Sequence, residues 1–205
     1  MKKILFMGLP GAGKGTQAEL LEKRGFVQIS TGDIIREAFK VNDRIVKPYE
    51  EKVSNGGFLP DEIIFQLVNQ AISKLPKDIP GYILDGAIRT LPQAEFAKKH
   101  GFIDTVIFFD LTENTAYERL SKRMVCPRCK RIYSDKDFHC DRCNMDLVKR
   151  EDDSHESIHN RFQIYKEKTE PILDYLKENF EFFSLDANPS IEEISKEVLD
   201  ALDLE

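Results

Sequence analysis

The chain lacks any excess of positive charge: 30 Lys and Arg against 36 Asp and Glu leave a net charge of −6 over 205 residues. Global attraction to nucleic acid or to an acidic membrane is thereby excluded, and any phosphate binding has to come from locally placed basic groups. Long hydrophobic runs are missing as well. After Met1-Lys2-Lys3 the apolar stretch covers only Ile4 to Met7, too short for a signal-peptide core, and no window approaches a membrane-spanning helix. A cytoplasmic location is expected. There is no internal repeat and no low-complexity tract, and 41% hydrophobic with 32% charged residues is the composition of an ordinary globule with one full core. Cysteine is scarce and confined, with all four between Cys126 and Cys143. A reducing compartment favours metal ligation over disulfides for such a cluster.

What the chain does have is a glycine-rich turn in an informative setting. The apolar run ending at Met7 enters Gly8-Leu9-Pro10-Gly11-Ala12-Gly13-Lys14-Gly15-Thr16, and a helix-forming run, Gln17 to Lys23, leaves it. Strand, turn and helix in that order point successive N–H groups into one concavity at the positive end of the helix, where phosphate binds. Lys14 adds a mobile cation for the outer phosphates. Thr16 offers the hydroxyl that a phosphate-bound Mg²⁺ requires. The strict phosphate-loop pattern asks for Ser or Thr directly after the lysine, whereas Gly15 intervenes here, so this is a variant of it.

Apolar spacing places strands near residues 3–7, 26–29, 82–84, 105–111 and 181–185. Helices are expected at 14–24, from Ser30-Thr31-Gly32-Asp33 onward, at 43–54 with a stop at Asn55-Gly56-Gly57, and behind Pro60-Asp61-Glu62. Further helices are expected at 91–99, 113–124, 154–178 and 191–202. Residues 30–59 thus form a helical excursion between strands. Five strands alternating with helices imply an α/β fold, a parallel sheet flanked on both faces, with ligands beyond the carboxyl ends of the strands.

Cys126-Pro-Arg-Cys129 and Cys140-Asp-Arg-Cys143 are two C-x₂-C knuckles, which together make the tetrahedral sulfur shell that Zn²⁺ prefers. Four protein ligands leave no open position for water, so the expected role is structural, although an iron centre uses the same ligand set. A small insert that cannot fold by burial alone gains its stability from the metal. His139 is expected to be a solvated neighbour. A zinc ribbon also occurs in nucleic-acid binders, and Arg128, Lys130, Arg131 and Arg142 would suit one; the rest of the chain serves nucleotide phosphates instead.

Phosphoryl transfer between two nucleotides holds two anions end to end, so several arginines must converge. Candidates are Arg36, Arg89, Arg119 and Arg123 at i, i+4 on one helix face, Arg150 and Arg161. The whole pattern resembles the adenylate kinase family of nucleoside monophosphate kinases along nearly the entire chain. The loop Gly8 to Thr16 resembles its phosphate loop, Ser30-Thr31-Gly32-Asp33 with Arg36 its monophosphate site, and Asp85-Gly86 with Arg89-Thr90 and Gln93 its central signature. Arg119, Arg123, Arg150, the pair Asp152-Asp153, and Arg161 with Tyr165 match as well. The four-cysteine segment is similar to the zinc-bearing lid of many prokaryotic members.

The resemblance implies a P-loop NTPase-type core of residues 1–29, 60–123 and 154–205, a monophosphate-binding domain at 30–59 and a lid at 124–153. It implies transfer from Mg-ATP to AMP giving two ADP, by a monomer with no nucleic-acid or membrane partner. Gly11, Ala12, Gly13, Lys14, Gly15 and Thr16 would wrap the ATP phosphates, with Arg119 near the adenine and Ile132-Tyr133 in the lid's contacting turn. Thr31, Arg36, Gly57, Phe58, Leu59, Gly86, Arg89 and Gln93 would hold AMP. Arg123, Arg150 and Arg161 would gather at the transferred group, the last two also touching AMP. Asp85 would orient Mg²⁺-bound water and Asp152 the arginines. Two departures stand out: Ala87-Ile88 replaces the family's Phe-Pro, and the knuckles are only ten residues apart, with no Phe-Asn-Pro-Pro run after Tyr133. Thr31 points to AMP, though as a bare residue it also reads as a helix cap. A UMP or CMP kinase of the same family is the near alternative, and a nucleotide-sensing or zinc-ribbon RNA-associated protein the distant one.

Overall fold

A computed structural model of the chain describes residues 1–55 and 57–204, apart from the Glu151 side chain. In chain order the first half comprises β1 (Lys2–Gly8), α1 (Lys14–Glu22), β2 (Val27–Ser30), α2 (Thr31–Lys40), α3 (Glu50–Ser54), α4 (Asp61–Ser73), β3 (Gly81–Asp85) and α5 (Leu91–Lys99). The second half comprises β4 (Thr105–Asp110), α6 (Glu113–Ser121), β5 (Arg123–Val125), β6 (Ile132–Ser134), α7 (His155–Ile164), α8 (Leu173–Asn179), β7 (Glu181–Asp186) and α9 (Ile191–Ala201). Five of the strands form one parallel sheet in the order β2-β3-β1-β4-β7, while β5 and β6 pair antiparallel in a small sheet of their own.

The central position of β1 follows from its sequence. Ile4, Leu5, Phe6 and Met7 are all buried, which suits a strand covered on both faces. Because side chains alternate along a strand, the run divides: Ile4 and Phe6 enter one core with Ile83, Ile107 and Phe109, and Leu5 and Met7 enter the other with Tyr82, Leu84 and Val106. Helices α1, α6, α7 and α9 cover the first core, while α4, α5 and α8 cover the second. Helix starts are capped as their sequences suggest, by Ser30, Thr90, Thr112, Ser154, and Ser190 in a capping box with Glu193. Among the described residues no helix is long and apolar enough to cross a membrane.

The five core strands and their parallel arrangement match the sequence reading. Three helices do not. The helix expected at 43–54 is a 3₁₀ turn at Lys47–Tyr49 followed by the short α3: the Asp43 carboxylate accepts from the N–H groups of Ile45 and Val46, and Pro48 disfavours a helical residue before it. Gly56 of the expected stop lies outside the described residues. The helix expected at 113–124 ends at Ser121, so Arg123 sits on β5 and shares no helix face with Arg119. Instead of one helix over 154–178, α7 passes into a π-helical turn at Tyr165–Thr169, a 3₁₀ turn at Glu170–Ile172 and then α8. Pro171, without an N–H and with a ring that clashes one turn back, accounts for the break.

Ile107 on β4 is fully buried between Phe6 and the helices of the first core. Ile107→Ala should lower stability by roughly 2–5 kcal/mol, read as a shift in the urea midpoint at constant slope.

Candidate active site

Strand β1 delivers the glycine-rich turn to the carboxyl edge of the sheet. Gly11 has φ +91°, and a β-carbon there would lie 2.8 Å from the Ala116 carbonyl oxygen, so both conformation and space require glycine. Gly13 is the left-handed N-cap of α1 at φ +89°, and no side chain caps this helix among the described residues. The first-turn N–H groups at Lys14, Gly15 and Thr16 therefore face the concavity without a capping oxygen. Ala12 is buried beneath the loop, its N–H bonded to the Leu9 carbonyl at 3.1 Å. Lys14 folds back over the loop, donating to the carbonyls of Gly8 and Leu9 at 2.8 Å each. Burial lowers its pKa to about 8; Asp85 opposes that shift, while Arg89, Arg161 and Arg123 add to it.

Facing the loop is a crowd of arginines organised by two adjacent carboxylates. Asp153, only 3% exposed, receives two bonds from Arg123 at 2.7 and 2.6 Å and one from Arg161 at 3.1 Å. Asp152 receives Arg150 at 3.0 and 3.1 Å, with Arg161 at 3.7 Å and Arg36 at 3.8 Å. Burial raises the Asp152 carboxyl, but Arg150, Arg161, Arg36 and Arg123 more than reverse this and leave it at about 2. The cations respond oppositely: burial pulls Arg161 down to about 10, and Asp152 and Asp153 do not fully offset that burial and its arginine neighbours. Lys14, Arg36, Arg89, Arg123, Arg150 and Arg161 stand against Asp33, Asp85, Asp152 and Asp153. The cleft thus carries a surplus of positive charge.

A third wall is built where β2 and β3 end side by side. Ser30 caps α2, and Thr31, buried, donates to the Asp85 carbonyl at 3.2 Å; the cap is therefore Ser30, and Thr31 belongs to the site floor. Gln28 donates to the Asp85 carboxylate at 3.2 Å. Gly86 takes φ +70°, and a β-carbon there would strike the Arg89 guanidinium at 2.7 Å. Arg89 donates from Nε to the Gly86 carbonyl at 2.9 Å, and the Phe58 ring lies 4.9 Å from its Cζ. An aromatic face thus reaches Arg89 from outside the Ala87-Ile88 segment, whose own residues are buried in the second core. Gln93 accepts from the Arg89 N–H at 2.7 Å and donates to Asp61 at 2.7 Å. Leu59 is buried, and the Gly57 N–H closes α3 on the Lys52 carbonyl at 2.9 Å.

Arg119 is not part of the arginine crowd; its charged neighbour is Asp186 at the end of β7. Ile132 reaches the loop, since a β-carbon on Gly15 would meet its Cδ1 at 3.4 Å. Tyr133 instead turns into the cysteine segment, with its hydroxyl on Asp141 and, at 3.2 Å, on the Cys140 sulfur. Two residues before Tyr133, Arg131 holds Glu19 of α1 at 3.1 Å, so this segment lies down on the helix behind the loop. Cys126, Cys129, Cys140 and Cys143 bring their sulfurs within 4.8 Å of one another as free thiols. The two knuckles repeat one geometry: the second cysteine's N–H points at the first cysteine's sulfur (3.5 and 3.2 Å), and a left-handed residue, Lys130 or Asn144, closes each turn. That donor set and shape fit a tetrahedral soft metal. His139 lies outside the cluster, exposed and paired with Asp146.

Residues 6–181 match the sequence profile of the adenylate kinase family. The chain belongs to the adenylate kinase family. Relatives named adenylate kinase include those of Kosmotoga olearia, 36% identical with 98% of each chain covered, and Thermotoga neapolitana, 38% identical over 97% of this chain and 96% of the relative. That of Mesomycoplasma hyopneumoniae is 38% identical over 96% of each.

Three residues of this adenylate kinase-family site escape the sequence reading. Asp153 matches the family pattern only as half of an acidic pair, yet it binds Arg123 more closely than Asp152 binds any arginine. Gln28 and Asp61 carry no motif, and only the folded chain brings them to Asp85 and Gln93. Removing one member of a buried pair leaves the others uncompensated. Asp153→Asn should therefore cost about 3 kcal/mol at pH 7 by urea denaturation, several times the cost of changing an exposed acid such as Asp174.

Proposed function

We propose that this enzyme transfers the terminal phosphoryl group of ATP reversibly to AMP, giving two ADP. The surplus of cations converging from the phosphate loop, β3, the lid strands and α7 carries this reading, because one bound phosphate would not need charge on every side. Lys14 and the backbone from Gly11 to Thr16 would hold the ATP phosphates, with Ile132 covering the loop and Arg119 beside Asp186 near the base. Thr31, Arg36, Gly57, Phe58, Leu59, Gly86, Arg89 and Gln93 would hold AMP. Arg123, Arg150 and Arg161 would surround the group in transit, held apart by Asp152 and Asp153. No residue is needed as a general base, since alignment and charge neutralisation supply most of the rate. Mg²⁺ bound with ATP spreads charge across the phosphate oxygens, and Asp85 with Thr16 are the residues that would hold its water shell.

Residues 30–59 would act as a monophosphate-binding domain and 124–153 as a lid, which excludes water while substrate is held. Several contacts support the closing of these two segments over the cleft: Arg36 near Asp152, Arg131 on Glu19, and Asn160 bonded to the Asn55 carbonyl. The four cysteines would hold a structural Zn²⁺. A monomer in the cytoplasm is the proposed state, since the cations named above can complete the cleft without a second copy and cysteines clustered as metal ligands suit a reducing compartment.

The deciding experiment offers AMP, UMP, CMP and GMP separately with Mg-ATP and measures ADP. Turnover with AMP alone is expected; preference for a pyrimidine acceptor would move the specificity, and none from folded protein would end the kinase reading. Lys14 yields a second expectation. With a pKa near 8 it is half neutral at pH 8 in the free protein, and phosphate favours its charged form, so ATP binding should take up protons at pH 8 and little at pH 6. Calorimetry in buffers of different ionisation enthalpy reads this directly, and Lys14→Met should abolish it. Replacing Cys126 and Cys129 by Ser should release the metal and lower the melting temperature, while an unchanged melting curve in a metal-free protein would refute a structural ion.

A further inference from the structure

Thr169 is buried and has no part in the roles assigned above. Its hydroxyl donates to the backbone carbonyl of Arg89 at 3.1 Å, across 80 residues of sequence. It occupies the last position of the π-helical turn Tyr165–Thr169, where the helix carrying Arg161 is interrupted ahead of Pro171. Widened turns of this kind occur preferentially at functional sites, because they redirect the side chains that follow without ending the helix.

The Arg89 peptide unit is held on all its polar faces. Gln93 accepts from its N–H at 2.7 Å and is itself fixed by Asp61; Thr169 donates to its carbonyl; its Nε is bonded to Gly86, and Phe58 lies against its guanidinium. This chain has Ala87-Ile88 where the family pattern has Phe-Pro, so no proline ring restricts the backbone just before Arg89. Side-chain hydrogen bonds from two other elements restrict it instead. Thr169 also lies eight residues after Arg161 on the same helical segment, so its bond ties two site cations to one reference.

We propose that Thr169 is a positioning residue for Arg89, fixing the Arg89 backbone through its carbonyl and so setting where the guanidinium meets the acceptor phosphate. The inference rests on Arg89 serving AMP and phosphoryl transfer. Displacing a transition-state contact by about an ångström costs on the order of 10²-fold in rate, and loss of one of several restraints should cost less than that.

The test compares Thr169→Val, which keeps shape and removes the hydroxyl, with Thr169→Ala and Thr169→Ser. Val and Ala should each lower kcat with AMP about tenfold at unchanged KM for ATP, and Ser should restore it to within about twofold. In an Arg89→Lys background Thr169→Val should have no further effect. Backbone hydrogen exchange at Arg89, which does not depend on turnover, should quicken in Val and Ala but not in Ser. Wild-type rates and exchange in Val and Ala, or a full multiplicative loss in the Arg89→Lys background, would overturn the proposal. A wild-type protein inactive toward every acceptor would instead overturn the proposed function, and the exchange measurement would still decide whether Thr169 holds Arg89.

Discussion

Like charge crowded into a cleft is the constraint around which the rest of the molecule is arranged. Guanidinium groups and an ammonium brought this close repel one another, and the cost rises as water is displaced. Burial first, and the neighbouring cations after it, lower the pKa values of Lys14 and Arg161. Two features keep that cost within bounds. Asp152 and Asp153 bridge the arginines in pairs, and a two-faced core anchors the elements from which the cations project. The remaining imbalance is what polyphosphate would relieve, so a defect in stability and a capacity for binding have the same origin.

Much of this is legible in the sequence because it is written in local chemistry. The loop from Gly8 to Thr16 needs only neighbouring residues to be understood, as do the two cysteine knuckles, and period-two burial of Ile4 to Met7 follows from one strand covered on both sides. Where the reading fails, local rules met a competing interaction. The Asp43 side chain captured backbone N–H groups that a helix would have used, and Pro171 split the helix expected at 154–178. Arg119 and Arg123 have the spacing of one helix face, yet the chain leaves the helix between them and sends one to Asp186 and the other to Asp153. Gln28, Asp61 and Thr169 were invisible for a different reason. Each acts on a residue far away in the chain, and no spacing in one sequence encodes such a partnership.

The cysteine segment shows how a small unit is tied to a large one. Its own core is little more than Cys126, Cys140 and Leu147, too small to hold a fold by burial alone. Its shape comes from the paired knuckles, and its attachment comes from polar contacts at the margin: Arg131 grips Glu19 outside and Asp141 inside, and Tyr133 reaches the same Asp141. Weak, exchangeable contacts at the edge and a rigid centre are what a segment needs if it is to move as a body.

The strand order has a consequence for synthesis. β1 emerges first but lies in the middle of the sheet, and its partners β3 and β4 begin only at Gly81 and Thr105. Until those residues have left the ribosome, a strand with four consecutive buried apolar residues has both edges open, and the sheet cannot close by local pairing. The phosphate loop attached to that strand is therefore made before β3 and β4 and gains its rigid base only after them. A chain interrupted before residue 110 would carry the whole glycine-rich sequence without the complete β4 pairing that holds its strand in place.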